Sequence, residues 1–556
     1  MPSAFAPPRS AFESAPSRWT LVSLAIGALL ALPILAVVLN VFAGGTEATW
    51  SHLWQTVLPE ILLNTLGLCV GVTLGVMVFG VGPAWLVTMC RFPGQRFFEW
   101  ALVLPLAVPA YVMAYTYTDF LQFVGPVQTA LREATGWRKG DYWFPEIRSL
   151  GGAILMFSAV LYPYVYLLAR NAFLERAGGM LEAARTLGLS PWASFHRVSL
   201  PLARPALAAG AALAMMETLA DYGTVAYFGV PTFTTAIYRS WFSLGDRIAA
   251  AQLSAALLAF VSLVLLLERR SRGGARFHNT TGRQPAAQGV ALDPLAAIGA
   301  MLACAFPLVL GFLLPAGLLL RMAFTEGDAQ FGWRFLELAR NSFTLAALTA
   351  LLGVALALLL AYAARLQATA TPRFVNRVVG LGYAIPGSVI AVGVLLPVTR
   401  LDNWLAQHIQ ALSGVNPGLL LTGGISALVF AYLVRFLALA LQTVEASLAK
   451  IRSSMDDAAR SLGARRGEML RRVHLPLLRG SVWTAGLLVF VDVMKELPAT
   501  LVMRPFNFDT LATQAYTLAS DERLAEASTA ALAIVAVGIL PLLAVTRQIA
   551  AGVRRG

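Results

Sequence analysis

Four acidic residues lie inside long apolar segments, where a charged group is costly and therefore indicates a functional position. They form two pairs, Glu217 with Asp221 and Asp492 with Glu496. The members of each pair are four residues apart, so in a continuous helix both would lie on one face. Carboxylate oxygens are hard ligands that suit hard cations. The pairs predict a substrate pathway in which a hard cation such as ferric iron is chemically plausible. The alternative is that the carboxylates only serve helix packing and are satisfied by a neighbouring helix or by Lys495.

The acids belong to an internal duplication that runs through the chain. Glu182–Gly188 recurs as Asp457–Gly463, and Val198–Pro201 recurs as Val473–Pro476, each 275 residues later. The acidic pairs have the same spacing. Two further matches are 277 residues apart, Asn64 with Asn341 and Pro109 with Pro386. Because each copy of a long repeat folds as a similar structural unit, the spacing predicts that the chain consists of two similar halves.

Long apolar helices must position these residues. Of the 556 residues, 58% are hydrophobic and 13% charged, and the mean hydropathy is +0.69, which leaves too little polar surface for a soluble globule. A bilayer core of about 30 Å requires roughly 20 apolar residues in a helix. Twelve segments are long enough: Trp19–Phe42, Ile61–Val87, Trp100–Thr118, Leu150–Leu168, Ala206–Phe228, Ile248–Leu267, Leu295–Leu320, Ser342–Ala364, Val378–Val398, Leu419–Leu441, Val482–Met503 and Ala525–Val545. The sequence predicts an all-α integral membrane protein of two parallel six-helix repeats.

The basic charge of the chain predicts its orientation. A net charge of +13 could indicate nucleic-acid binding, but most of the 42 Lys and Arg residues fall in segments that are cytoplasmic when the N-terminus is inside. This asymmetry follows the positive-inside rule, so both termini are predicted to be cytoplasmic and no nucleic-acid partner is expected. The first apolar segment is too long for a secretory signal and is expected to remain as a span.

The duplication and the charges divide the chain into five parts. They are a cytoplasmic N-terminal tail (1–18), a first repeat (19–267), a cytoplasmic linker (268–294), a second repeat (295–546) and a cytoplasmic C-terminal tail (547–556). The linker carries five arginines among Gly, Gln and Asn, a composition that cannot bury apolar surface.

The longest cytoplasmic loop of each half contains the duplicated segment. In the first half, Glu182–Leu187 is predicted to be a short helix that Gly188 ends by adopting a positive φ. Ser190 is predicted to cap a second short helix that begins at Pro191. Leu200-Pro201 predicts a break before the next span. The loop is therefore expected to form a helix–turn–helix below the membrane.

Both loops, at about 175–204 and 445–479, resemble the EAA loop of ABC importer permeases. The matching residues are Glu182, Ala183, Ala184, Gly188 and Pro201 in the first loop and Asp457, Ala458, Ala459, Gly463 and Pro476 in the second. The resemblance implies the type I ABC importer permease fold, in which each loop docks into a cytoplasmic ATPase subunit, and two loops imply two ATPase copies. Asp457 departs from the pattern, since it keeps the charge of a glutamate but shortens its reach.

ATP hydrolysis is expected to take place on that separate subunit. A phosphate-binding P-loop needs the sequence Gly-Lys-Ser/Thr. The three lysines, Lys139, Lys450 and Lys495, follow Arg138, Ala449 and Met494. ATP and Mg²⁺ are therefore expected on the ATPase, and neither a cofactor nor an enzymatic activity is expected in this chain.

Several segments resemble the ferric-iron importer permeases of the bacterial inner membrane. They are Leu104–Tyr115, Glu217–Thr224, Phe242–Asp246, Met494–Thr500 and Arg504–Thr510. The resemblance implies that a periplasmic binding protein delivers iron to the chain. Fused thiamine and phosphonate permeases have the same architecture and remain alternatives. An ion-coupled secondary transporter of twelve helices could also use the acids, but it gives no account of the duplicated loops.

The remaining polar and aromatic residues indicate no further site. The five histidines lack metal-ligand spacing, and the three cysteines offer no disulfide framework. Two tyrosine sets are predicted to lie in an interfacial aromatic belt: Tyr111, Tyr115 and Tyr117, and Tyr162, Tyr164 and Tyr166. Pro105, Pro109 and Pro386 are expected to kink spans.

Overall fold

The computed structural model describes residues 18–186, 188–272, 289–325, 332–367 and 369–555, which are almost entirely helical. The first half contains α1 (Arg18–Leu39), α2 (Glu47–Thr56), α3 (Leu58–Met89), α4 (Gln95–Ala101), α5 (Ala110–Leu121), α6 (Pro126–Thr135), α7 (Leu150–Thr186), α8 (Pro191–Ser194), α9 (Leu200–Ala220), α10 (Gly223–Tyr227), α11 (Phe233–Tyr238) and α12 (Arg247–Arg272). The second half contains α13 (Pro294–Leu308), α14 (Leu314–Thr325), α15 (Trp333–Leu366), α16 (Ala370–Gly380), α17 (Gly387–Ser413), α18 (Ser426–Leu448), α19 (Ser453–Ser461), α20 (Arg466–Met469), α21 (Leu475–Met494), α22 (Pro498–Met503), α23 (Leu511–Ser520) and α24 (Leu524–Arg555).

The number of membrane helices agrees with the prediction. Within the described residues, eleven helices are long and apolar enough to span a bilayer, and a bent pair makes a twelfth. The bent pair, Gln95–Ala107 with Ala110–Thr135, turns by 92°, so the span predicted over Trp100–Thr118 is present but broken near the prolines that were expected to kink it. Pro109 lies at the turn, where its missing N–H and its fixed φ suit the residue before a helix.

The corresponding element of the second half is interrupted in the same way. Helix α16 ends at Gly380, and α17 begins directly after Pro386. The predicted span Val378–Val398 therefore contains a break. Pro109 and Pro386 occupy equivalent positions before α5 and α17, with backbone ψ angles of 143° and 141°. The kinks expected at these two prolines are confirmed.

Each half is organised around three closely packed helices. These are α3, α7 and α9 in the first half and α15, α18 and α21 in the second. Helix α3 packs tightly against α7 at Gly71 and Gly75, where an added Cβ would come within 2.5 Å of Ile154 and 2.0 Å of Ser158. Small residues four apart allow this approach, because packing rather than the hydrophobic effect holds helices together in lipid.

The first span of each half packs against the other half. Helix α1 contacts α16 and α17, whereas α13 contacts α3 and α4. The end of the linker also pairs with the first half: a strand β1 (Cys90–Arg91) forms a parallel ladder with β2 (Val290–Ala291). These exchanged contacts join the two repeats into one body with a shared interior.

The duplication extends to individual hydrogen bonds. The amide of Asn64 donates to the carbonyl of Pro231 at 3.1 Å, and that of Asn341 donates to the carbonyl of Asp509 at 3.0 Å. Each bond ties the second span of a half to the segment that follows its fifth span. The two asparagines, matched in the sequence by their spacing, therefore have the same structural role.

Candidate functional site

A cavity of ≈ 110 Å³ lies between the two halves. All four intramembrane acids line it, Glu217, Asp221, Asp492 and Glu496. Arg435 on α18, Lys495 and three tyrosines complete its polar lining, Tyr111, Tyr164 and Tyr383. The structure thus brings together residues that are separated by nearly 300 positions in the chain.

The helices that carry the acids end earlier than the sequence predicts. Helix α9 ends at Ala220, and the backbone at Asp221 is extended (φ −71°, ψ 140°). Helix α21 likewise ends at Met494, before the short helix α22 begins. The prediction that each acidic pair lies on one face of a continuous helix is therefore wrong. The first acid of each pair is on the long helix, and the second follows its end.

The second acid of each pair binds the first N–H groups of the short helix that follows the break in its span. The carboxylate of Asp221 accepts hydrogen bonds from the backbone N–H groups of Thr224 (2.8 Å) and Val225 (3.3 Å) at the start of α10. The carboxylate of Glu496 accepts them from Ala499 (2.9 Å) and Thr500 (3.1 Å) at the start of α22. A negative charge is favourable at a helix N-terminus, and N–H groups exposed by a break in a span require a partner.

The acids of the second half have basic partners. Lys495 Nζ lies 2.8 Å from Asp492 Oδ1, and Arg435 Nη1 lies 3.4 Å from Glu496 Oε1. The Glu496 side chain is 1% exposed and that of Arg435 is 9% exposed, so this is a buried ion pair. The neutralisation by Lys495 that the sequence left open is present, but it concerns only one acid.

Two loops, which we name loop A (residues 175–204) and loop B (445–479), each contain a turn at a glycine with a positive φ. Gly188 and Gly463 have φ angles of +77° and +80°, as predicted for Gly188. An added Cβ at either glycine would meet nothing within 4 Å. Both turns are therefore exposed and require glycine because of their backbone conformation.

The helices of the loops depart from the sequence prediction in two ways. In loop A the first helix is the continuous end of α7, so Glu182, Ala183 and Ala184 extend a membrane helix; in loop B a separate helix, α19, carries Asp457, Ala458 and Ala459. The second helix of each loop runs into the next span through a π-helical turn, Phe195–Ser199 or Leu470–His474. The break expected at Leu200-Pro201 is absent, because a π-turn accommodates a proline that donates no N–H. The Ser190 cap is confirmed by the hydrogen bond from Ala193 N–H at 3.2 Å.

The two repeats match one described protein family. Residues 71–270 and 353–555 each match the family described as "Binding-protein-dependent transport system inner membrane component". The chain belongs to this family. It is a multi-pass inner-membrane permease of ABC importers, with two family units fused in one polypeptide.

The permease is similar to relatives with different cargoes in their names. It is 28% identical to an Fe(3+)-transport system permease protein of Haemophilus influenzae, over 95% of this chain and 97% of that protein. It is 30% identical to the molybdenum transport system permease protein of Escherichia coli, over 38% of this chain and 91% of that protein. It is 29% identical to the sulfate transport system permease protein of Escherichia coli, over 36% of this chain and 69% of that protein.

Loop B of the permease is anchored by a charged cluster around Asp456, whose acid and histidine have no counterpart in the sequence of loop A. Asp456 pairs with Arg365 Nε at 2.8 Å and with His474 Nε2 at 2.8 Å. Burial opposes ionisation of Asp456, but the hydrogen bonds from Arg365 and His474 outweigh it and hold the pKa of its carboxyl below the usual range. Since the matching positions of the first half are Leu181 and Ser199, the two loops of the permease are held differently.

Three features of the permease were missed or misassigned from the sequence. Arg435 was not singled out, although an arginine inside an apolar run is itself a signal. His474, grouped with scattered histidines, is fully buried against Asp456. The interfacial belt is wrong for most of the tyrosines, because Tyr111, Tyr115, Tyr117, Tyr162 and Tyr166 are at most 4% exposed. Tyr111 and Tyr164 line the cavity instead.

Proposed function

We propose that this permease forms the membrane pathway of an ATP-driven importer for ferric iron. The observation that carries the proposal is the composition of the cavity, where four carboxylates face two basic side chains. With these groups ionised, the lining has a formal charge of −2. Such a lining attracts cations and repels oxyanions such as molybdate, sulfate and phosphonates.

The size of the cavity supports a small cargo. At ≈ 110 Å³ it is well below the roughly 300–1,000 Å³ of pockets for drug-sized molecules, which disfavours thiamine. Carboxylate and phenol oxygens are hard donors and suit a hard trivalent ion. The similarity to an Fe(3+) permease over 95% of the chain supports the same cargo.

Loops A and B supply the proposed sites of coupling to ATP. We propose that each loop docks into one copy of a cytoplasmic ATPase, which binds ATP and Mg²⁺. Their exposed glycine turns and their equivalent positions below the two halves support this role. The proposal requires both termini to be cytoplasmic and a periplasmic binding protein to deliver the cargo from the opposite side.

A transport assay with a panel of cargoes tests the proposed substrate. The permease, its ATPase and its binding protein are reconstituted in vesicles, and uptake of labelled ferric iron, molybdate, sulfate, thiamine and a phosphonate is measured with ATP. We expect ATP-dependent uptake of iron and no uptake of the other four. Uptake of an oxyanion or of thiamine in place of iron would contradict the proposal.

A further inference from the structure

The four cavity acids are equivalent in sequence but differ in how their charges are compensated. Both basic residues of the cavity, Arg435 and Lys495, come from the second half. The position equivalent to Lys495 is Ala220, and α7, which corresponds to the helix of Arg435, carries no charged residue between Leu150 and Leu168. Only the acids of the second half therefore form ion pairs with basic residues of the cavity.

Each acid except Glu217 has its carboxylate bound to protein groups. Asp492 is paired with Lys495, and Glu496 is paired with Arg435 and bonded to the start of α22. The two oxygens of Asp221 accept hydrogen bonds at the start of α10, including one from the Thr224 hydroxyl at 3.1 Å. Each of these three carboxylates thus has at least one oxygen bonded to a protein group.

Glu217 differs from these three acids. Within the part of the chain that the structure describes, its carboxylate has no hydrogen bond and no ion pair within 4.0 Å. Arg435 and Lys495 attract it through space, but both are bonded to acids of the second half. It faces the cavity beside Tyr164 and Tyr383.

A carboxylate without a bonded partner inside a membrane protein is costly and is retained where a ligand uses it. Tyr111 adds a second unsatisfied group, since its hydroxyl is buried at the cavity without a hydrogen bond to any described residue. The Glu217 carboxylate and the Tyr111 hydroxyl, neither of which has a hydrogen-bond partner among the described residues, both belong to the first half. The second half presents ion pairs.

We propose that the transported cation is bound asymmetrically, with Glu217 as the binding carboxylate. Arg435 and Lys495 neutralise the charges of the two second-half acids, which therefore do not bind the cation. The inference rests on the proposed cation cargo and adds which residue holds it. Binding by one free carboxylate, while the three other acids of the cavity are bonded to protein groups, gives a weak site from which the ion can leave.

Two matched variants test the asymmetry in the reconstituted complex with labelled ferric iron. Glu217→Gln removes the free carboxylate. The double variant Asp492→Asn with Lys495→Met removes one acid and one base, so the formal charge of the cavity is unchanged. We expect Glu217→Gln to lower iron uptake about tenfold or more, as for loss of a charged contact, and the double variant to lower it by clearly less. Glu337→Gln, which removes an exposed carboxylate outside the cavity, should leave uptake unchanged.

Further measurements separate a binding role from a folding defect. Both variants should co-purify with the ATPase and keep the thermal unfolding midpoint of the wild type, and Glu217→Asp should recover part of the uptake. Equal losses of uptake in the two variants, or unchanged uptake in Glu217→Gln, would overturn the asymmetry while leaving iron transport in place. Wild-type uptake of an oxyanion without iron uptake would instead overturn the proposed function, and this inference with it.

Discussion

Replacing Glu496 with alanine is expected to destabilise the permease more than any other single removal of a carboxylate in the cavity. The change leaves the Arg435 guanidinium buried without its ion pair, and removes the acceptor of the N–H groups of Ala499 and Thr500. Breaking a buried ion pair by removing one partner costs roughly 3–5 kcal/mol. The thermal unfolding midpoint of the purified permease should fall accordingly, and less folded protein should be recovered from membranes.

An exposed ion pair provides the matched control. Arg334 and Glu337 are 3.1 Å apart, with side chains that are 51% and 38% exposed. Pairs of this kind contribute about 0–1 kcal/mol, so Glu337→Ala should leave the midpoint nearly unchanged. If Glu496→Ala and Glu337→Ala shifted the midpoint equally, the buried pair would not have the structural role described above. Combining Glu496→Ala with Arg435→Met should recover part of the loss, because no buried charge is then left unpaired.

The second large effect is expected at the glycine turns of loops A and B. Gly188→Val combined with Gly463→Val places a β-branched residue at a positive φ in both loops, a conformation that such residues rarely adopt. The turns should rearrange and the ATPase should no longer co-purify with the permease. Because both glycines are exposed and lie outside the spans, membrane insertion should be unchanged, as measured by the amount of folded permease in the membrane fraction.

Gly467 gives a control within loop B. It lies in the short helix α20, and an added Cβ there also meets nothing within 4 Å, but its φ is not positive. Gly467→Val should therefore retain the ATPase. Normal co-purification with the double variant at Gly188 and Gly463 would contradict the docking role of the turns. Loss of the ATPase in Gly467→Val as well would indicate that added bulk, and not backbone strain, prevents docking.

The sequence predicts the architecture well because hydropathy and repetition are properties of whole segments. Each span needs a run of apolar residues, and a duplicated chain repeats every constraint at a fixed spacing. The spacing alone links Glu217 to Asp492, and the cavity contains both. The same argument links Gly188 to Gly463, which have nearly equal φ angles.

The interruptions of the spans are not visible in hydropathy. The segments after Ala220 and Met494 still contain enough apolar residues for a span to be predicted through them, so a continuous helix is the simpler prediction. The helices stop because Asp221 and Glu496 bind the N–H groups of the next helices. These contacts cannot be predicted from the hydropathy of the segment. Pro498, one of the first residues of α22, is the one local signal of such a start.

Burial within the protein is equally hard to infer for aromatic residues. A tyrosine near the end of an apolar segment suits the membrane interface, yet Tyr162 and Tyr166 are fully buried. Only the packing of α7 against α3 and α9 decides this. The partners of Arg435 also depend on packing, since Glu496 is 61 residues away in the chain.

The most direct test of the account is whether ATP hydrolysis on a docked ATPase drives iron through this permease. Uptake of labelled ferric iron should be measured in vesicles that contain the permease and the iron-loaded binding protein, with the ATPase present or omitted, and with ATP or an imposed proton or sodium gradient. We expect uptake only when the ATPase and ATP are both present. Iron uptake driven by an ion gradient without the ATPase would contradict it and would favour an ion-coupled secondary transporter.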